Sequence, residues 1–86
     1  MIELNSIQRQ ILRSLLFPEP FDTLVEEVSA TQPVIAAELK FLIHKGLVSP
    51  MEDANGRSKP SIYYDSDNMR AFRYQITALG LKHQEA

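Results

Sequence analysis

The side chains of this 86-residue chain that are best suited to gripping a charged partner lie close together in sequence. Residues 54–76 hold Arg57, Lys59, Arg70 and Arg73 against Asp65 and Asp67, a net +2. Residues 1–53 hold four Lys/Arg and eight Asp/Glu, a net −4, and Lys82 balances Glu85 beyond residue 76. Guanidinium and ammonium groups bind phosphate, and such contacts orient a protein on nucleic acid without reading its sequence. Arg57 and Lys59 follow Asn55-Gly56, a pair that suits a type I′ hairpin turn. Cations on a polar loop can equally be solvated and idle. Tyr63 and Tyr64 could stack on bases or bond sugar and phosphate, or sit half in a core beside Ile62. The overall charge of −2 counts against a uniformly basic surface.

Other chemistry finds little support. The chain has no glycine-rich phosphate loop, no Gly-x-Ser-x-Gly elbow and no His-Glu-x-x-His helix. Glu26 and Glu27 are adjacent, so on a helix they point in different directions and do not form an acid–base pair. His44 and His83 are too few and too far apart to suggest a metal site, and without cysteine there is no thiolate zinc site. The expectation is a protein that is not an enzyme and takes no metal or small-molecule cofactor. A cysteine-free chain of this size fits a reducing compartment. Apolar runs such as Leu15-Leu16-Phe17 are far too short to span a bilayer, and Met1-Ile2-Glu3-Leu4-Asn5 does not read as a signal peptide. A cytoplasmic protein with no membrane partner is expected.

The elements that must position these cations can be read from periodicity and caps. Asn5, with Gln8 three residues on, makes a capping box, and Ile7, Ile11, Leu12, Leu15 and Leu16 follow at helical spacing. This predicts a helix over about 5–17, ended by Phe17-Pro18-Glu19-Pro20. Asp22 is the candidate cap of a second helix over about 22–29, with Leu24, Val25 and Val28 inward. Thr31 is the candidate cap of a third over about 32–45, with Ile35, Leu39, Leu42 and Ile43 inward and Gly46 as its left-handed stop. A strand from Leu47 to about Met51 comes next, with Pro50 suggesting a sheet edge or a bulge. From Glu52 to Ala71 the sequence reads as one long polar connection, with a possible extended piece at 61–65. Phe72, Tyr74 and Ile76 alternate with Arg73, Gln75 and Thr77, a half-buried strand. Thr77 then caps a short last helix over about 78–83, which Gly80 should weaken.

Three helices, a hairpin spanning about 47–77 and a short final helix form an α+β, mostly α, single domain over residues 1–86. That order resembles the winged helix-turn-helix fold. Two stretches carry the resemblance: Leu39-Lys40-Phe41-Leu42-Ile43-His44-Lys45-Gly46-Leu47-Val48 and Tyr74-Gln75-Ile76-Thr77-Ala78-Leu79-Gly80. The first is similar to the end of the recognition helix and start of the wing in MarR-, PadR- and ArsR-like bacterial regulators. The second is similar to the returning wing strand and its capping threonine.

The resemblance implies a small DNA-binding transcriptional regulator, with its third helix in the major groove of double-stranded DNA. With Ile35, Leu39, Leu42 and Ile43 inward, the helix would turn Gln32, Pro33, Ala36, Ala37 and Lys40 to the groove. Gln32 would pair with adenine, Lys40 with guanine or phosphate, and the alanines with a thymine methyl. Arg57 and Lys59 would lie on the wing, against the backbone. Many such regulators carry Ser, Arg or His where this chain has Ala36, Ala37 and Glu38, which implies grip more than base reading. Regulators of this kind act as homodimers on palindromic sites; the apolar face of the first helix and Leu79 to Leu81 are the expected contact surfaces. The alternative is a winged helix used for protein contacts, without sequence-specific DNA binding. The acidic first 53 residues and the Ala36, Ala37 and Glu38 stretch favour that second reading.

Overall fold

The computed structural model describes residues 3–54, 57–61, 64–65 and 67–85. Its elements, in chain order, are α1 (Ser6–Ser14), β1 (Glu19–Pro20), α2 (Phe21–Glu27), α3 (Gln32–His44), β2 (Val48–Ala54), β3 (Arg57–Pro60), a one-turn 3-10 helix (Met69–Ala71), β4 (Arg73–Ile76) and α4 (Ala78–Glu85). The strands form one antiparallel sheet in the order β1-β4-β2-β3, so the fold is α+β. One apolar cluster joins α1 (Ile11, Leu12, Leu15), α2 (Phe21, Leu24), α3 (Ile35, Leu39, Leu42) and the sheet (Val48, Tyr74, Ile76).

The α1 capping box forms as its sequence implies. The Asn5 side-chain oxygen accepts from the Gln8 backbone N–H at 2.8 Å, and the Gln8 side chain accepts from the Asn5 N–H at 2.9 Å. Asn5 also donates to the Glu38 carboxylate at 2.8 Å, which ties the start of α1 to the middle of α3. Asn5→Ala should therefore cost about 1 kcal/mol or somewhat more, the usual loss for a helix cap. A urea titration with circular dichroism checks it: the midpoint falls while the slope stays the same.

Several boundaries differ from the sequence expectation. Helix α1 stops at Ser14, ahead of the expected 17, because the Leu15 carbonyl accepts from the Ile76 N–H of β4 at 2.8 Å. The end of the Phe17-Pro18-Glu19-Pro20 stop is also a strand: Glu19 pairs with Tyr74 and Pro20 with Arg73. Pro20, and not Asp22, occupies the cap of α2, with no side-chain bond, and Asp22 sits in the first turn. Thr31 does hold the cap position of α3, but its hydroxyl makes no capping bond. At the other end of α3 the stop follows the expected pattern. Gly46 has φ 76, its N–H bonds the Ile43 carbonyl at 3.0 Å, and the Leu47 N–H bonds that of Leu42 at 2.9 Å. This is the Schellman arrangement.

The largest correction concerns the connection read as one long loop from Glu52 to Ala71. Strand β2 runs on to Ala54, and β3 returns beside it, with Ala54 opposite Arg57 and Met51 opposite Pro60. The Asn55-Gly56 turn lies outside the described residues. Strand β3 is Arg-Ser-Lys-Pro, which has no apolar alternation to betray it. Of the expected extended piece at 61–65, Ile62 and Tyr63 lie outside the described residues, and Ser61, Tyr64 and Asp65 belong to no strand. Pro50 is not at the sheet edge, because β2 has β4 on one side and β3 on the other. The Pro50 carbonyl accepts from the Ser61 N–H at 2.8 Å, where the β3 ladder ends, so little pairing is lost to its missing donor.

Strand β4 alternates as expected: Tyr74 and Ile76 are buried, Arg73 is exposed and Gln75 is half-buried. Thr77 caps α4. Its hydroxyl accepts from the Gly80 N–H at 3.0 Å and donates to the Gly46 carbonyl at 2.7 Å, joining the two helix ends.

Candidate functional site

Helix α3 buries Ile35, Leu39 and Leu42, and this fixes what its other faces offer. Pro33 and Ala37 are exposed and Lys40 is half-buried, on the side turned away from the core. Val34 adds an apolar flank at 44% exposure. Ala36 is different: it is half-buried and packs against the core, so of the two alanines only Ala37 is freely presented. Glu38 leans on α1 through Asn5. Its carboxylate therefore does not share the face of Ala37 and Lys40. Lys45, past the helix end, places its ammonium 5.8 Å from the centroid of the Phe41 ring.

The segment between β3 and β4 comes back past the first turn of α3. Asp67, Asn68, Met69 and Arg70 face Phe21, Gln32, Pro33 and Ala36 across a groove of about 270 Å³. Met69 is buried, and its carbonyl accepts from the Tyr74 hydroxyl at 2.6 Å. Arg70 is thereby placed over α2 and α3. Its Nε donates to the Asp22 carboxylate at 2.6 Å, and its guanidinium carbon lies 5.6 Å from the Phe21 ring centroid. Its terminal nitrogens donate to the Gln32 side-chain oxygen, at 3.0 Å for Nη1. That assignment of the amide oxygen is the one that satisfies both partners. None of this was legible in the sequence, where Asp22, Gln32 and Arg70 are unrelated positions.

The other cation-bearing element is the hairpin. Arg57 opens β3 opposite Ala54, and Lys59, exposed, lies opposite Glu52. The placement of the Arg57 side chain falls outside the described residues. Lys59 thus shares its cross-strand pair with a carboxylate, and Arg70 shares its charge with Asp22. Lys40 has no ion pair among the described residues. Tyr64 is half-buried and packs against the core, so it is not a fully exposed stacking platform, and Tyr63 lies outside the described residues. His83 bonds within its own helix, its ring nitrogen 3.0 Å from the Leu79 carbonyl. No group of three or more potential metal ligands occurs among the described residues.

Of the two surfaces expected to join copies of the chain, the apolar face of α1 is turned inward. Ile11, Leu12 and Leu15 of α1 are wholly inside the protomer. Leu79 and Leu81 are exposed, at 45% and 38%, about 200° apart around α4. The exposed apolar residues nearest α1 are Leu16 at 44% and Phe17 at 74%. No helix among the described residues is long and apolar enough to cross a membrane. Compared with family models, curated proteins and solved structures, the chain matches none.

Proposed function

We propose that this chain is a winged helix-turn-helix domain that binds double-stranded DNA as a small cytoplasmic transcriptional regulator. In this reading α3 enters the major groove and the β2–β3 hairpin is a wing that tracks the backbone. The observation that carries it is the outer face of α3. Its one carboxylate, Glu38, is drawn aside to Asn5, which leaves Pro33, Ala37 and Lys40 facing outward with no anion of α3 among them, and Asp67 lies across the groove from Pro33. The topology is compatible: α2 and α3 are joined by only four residues, 28–31, and a hairpin begins four residues after α3 ends. Two copies on a palindromic site would extend the contact, with Leu16 and Phe17 beside α1 or Leu79 and Leu81 on α4 as exposed apolar surface.

The test is affinity for a random duplex at two salt concentrations. With three or four phosphate contacts, binding should weaken roughly 40- to 150-fold between about 50 and 200 mM salt. Lys40→Ala and Lys59→Ala should each lower the slope of log affinity against log salt by about one if they touch phosphate. A folded protein that binds no duplex at the lower salt would sink this reading. The second reading, a module for protein contacts, rests on the apolar half of the same face, Pro33, Val34 and Ala37. It predicts no duplex binding at either salt concentration.

A further inference from the structure

We infer that Arg70 sets what Gln32 can read: by occupying the amide oxygen it presents Gln32 to a base edge as a hydrogen-bond donor only. The inference rests on the DNA-binding reading above. A free glutamine amide has one acceptor and two N–H donors, which is why it pairs in bidentate fashion with adenine, accepting from N6–H and donating to N7. Here the oxygen already accepts from both terminal nitrogens of Arg70. Adenine's N6–H group would meet no acceptor. Guanine shows two acceptors, N7 and O6, on the same edge, and the remaining N–H groups of Gln32 match them. The expected partner of Gln32 is therefore guanine, and the adenine pairing expected from its residue type is lost.

Arg70 is held in place from several sides. Asp22 takes its Nε–H at 2.6 Å, and the Phe21 ring lies beside the guanidinium. The backbone one residue back is pinned by buried Met69, whose carbonyl bonds the Tyr74 hydroxyl. Gln32 is the first residue of α3, is exposed and lines the open groove beside Pro33, where recognition helices meet base edges. Because Asp22 offsets its charge, Arg70 acts here as a positioning residue and not as a phosphate contact. A phosphate-binding arginine and a positioning one differ in what their removal changes. The first lowers the salt slope by about one, and the second moves base preference while leaving the slope alone.

The experiment selects bound duplexes from a randomised pool with the unaltered protein, Gln32→Ala and Arg70→Met, and measures the salt slope of each. The unaltered protein should prefer guanine over adenine about tenfold at one position, and Gln32→Ala should erase the preference there. Arg70→Met should shift that same position toward adenine with the salt slope unchanged. The ion pair is exposed, 53% and 63% for the two side chains, so its loss should leave the fold intact. A thermal melt checks this, and Asp22→Ala, which loosens the same guanidinium, should give the same shift in weaker form. An unchanged preference in both Arg70→Met and Asp22→Ala, in proteins that still bind DNA, overturns the inference alone. So does a slope lowered by one with no change in preference. Absence of duplex binding by the unaltered protein overturns the DNA reading, and the inference with it.

Discussion

Replacing Gly80 with alanine should destabilise this protein sharply, although alanine is the better helix former. In a free helix the exchange would gain about 1 kcal/mol. Here a Cβ at position 80 would stand inside contact distance of the Leu47 carbonyl oxygen, 2.6 Å from Ile76 Cγ1 and 3.2 Å from the Leu47 carbonyl carbon. The oxygen is backbone and cannot rotate away. It also accepts from the Thr77 N–H at 3.0 Å, so moving it disturbs the start of α4 as well. The net loss should reach the upper end of the roughly 1–3 kcal/mol typical of overpacking, or exceed it. For a domain of this size each kcal/mol lowers Tm by about 4–8 °C. A scanning calorimetry trace of Gly80→Ala with Tm unchanged or raised would show that α4 does not pack against Leu47 in this way.

Tyr74 carries the second large effect. It is fully buried in β4, opposite Pro50 of β2 and Glu19 of β1, and its hydroxyl bonds the Met69 carbonyl at 2.6 Å. Tyr74→Ala should cost about 3–5 kcal/mol, as for other large aromatic truncations in a core. Tyr74→Phe keeps the ring but takes its bond from the Met69 carbonyl, a loss of about 1–3 kcal/mol. The hydroxyl also makes stability depend on pH. Burial, then the nearby Tyr64 and Asp65, push its pKa above the ordinary tyrosine value. An unfolded tyrosine releases its proton near pH 10, while the folded one keeps it. Above about pH 10 the unfolded chain therefore binds fewer protons, and stability falls as pH rises, by up to about 1.4 kcal/mol per pH unit for this group. Below that range its contribution is fully present. Urea titrations at rising pH should show the gap between the unaltered protein and Tyr74→Phe narrowing above about pH 10. A constant gap would mean that Tyr74 ionises as readily in the folded protein as in the unfolded chain.

The candidate site was legible only in part. Pro33, Ala37 and Lys40 follow from helical spacing once Ile35, Leu39 and Leu42 are assigned to the core, and the structure presents them outward. Ala36 does not follow, because its exposure depends on whether another segment covers that flank, and residues 67–70 come close enough to line a groove with it. Gln32 was readable as a polar residue at a helix start, but its bond to Arg70 spans 38 positions and has no local signature. Arg70 itself reads in sequence as one of four cations in a basic stretch, yet its charge is offset by Asp22, 48 residues away.

What the sequence alone determined was local. The capping box at Asn5 and Gln8, the Schellman stop at Gly46, the Thr77 cap and the alternation through Tyr74 and Ile76 each rest on bonds or faces within a few residues. Tertiary structure decided the rest. Strand β1 is two residues long and β3, Arg-Ser-Lys-Pro, has no apolar alternation, so neither carries a periodic pattern, and both exist because another strand lies beside them. Gly80 reads as a weak point in a helix and is in fact the place where α4 meets the Leu47 backbone. Such roles depend on what a residue touches across the fold, and side-chain type and spacing hold no record of that.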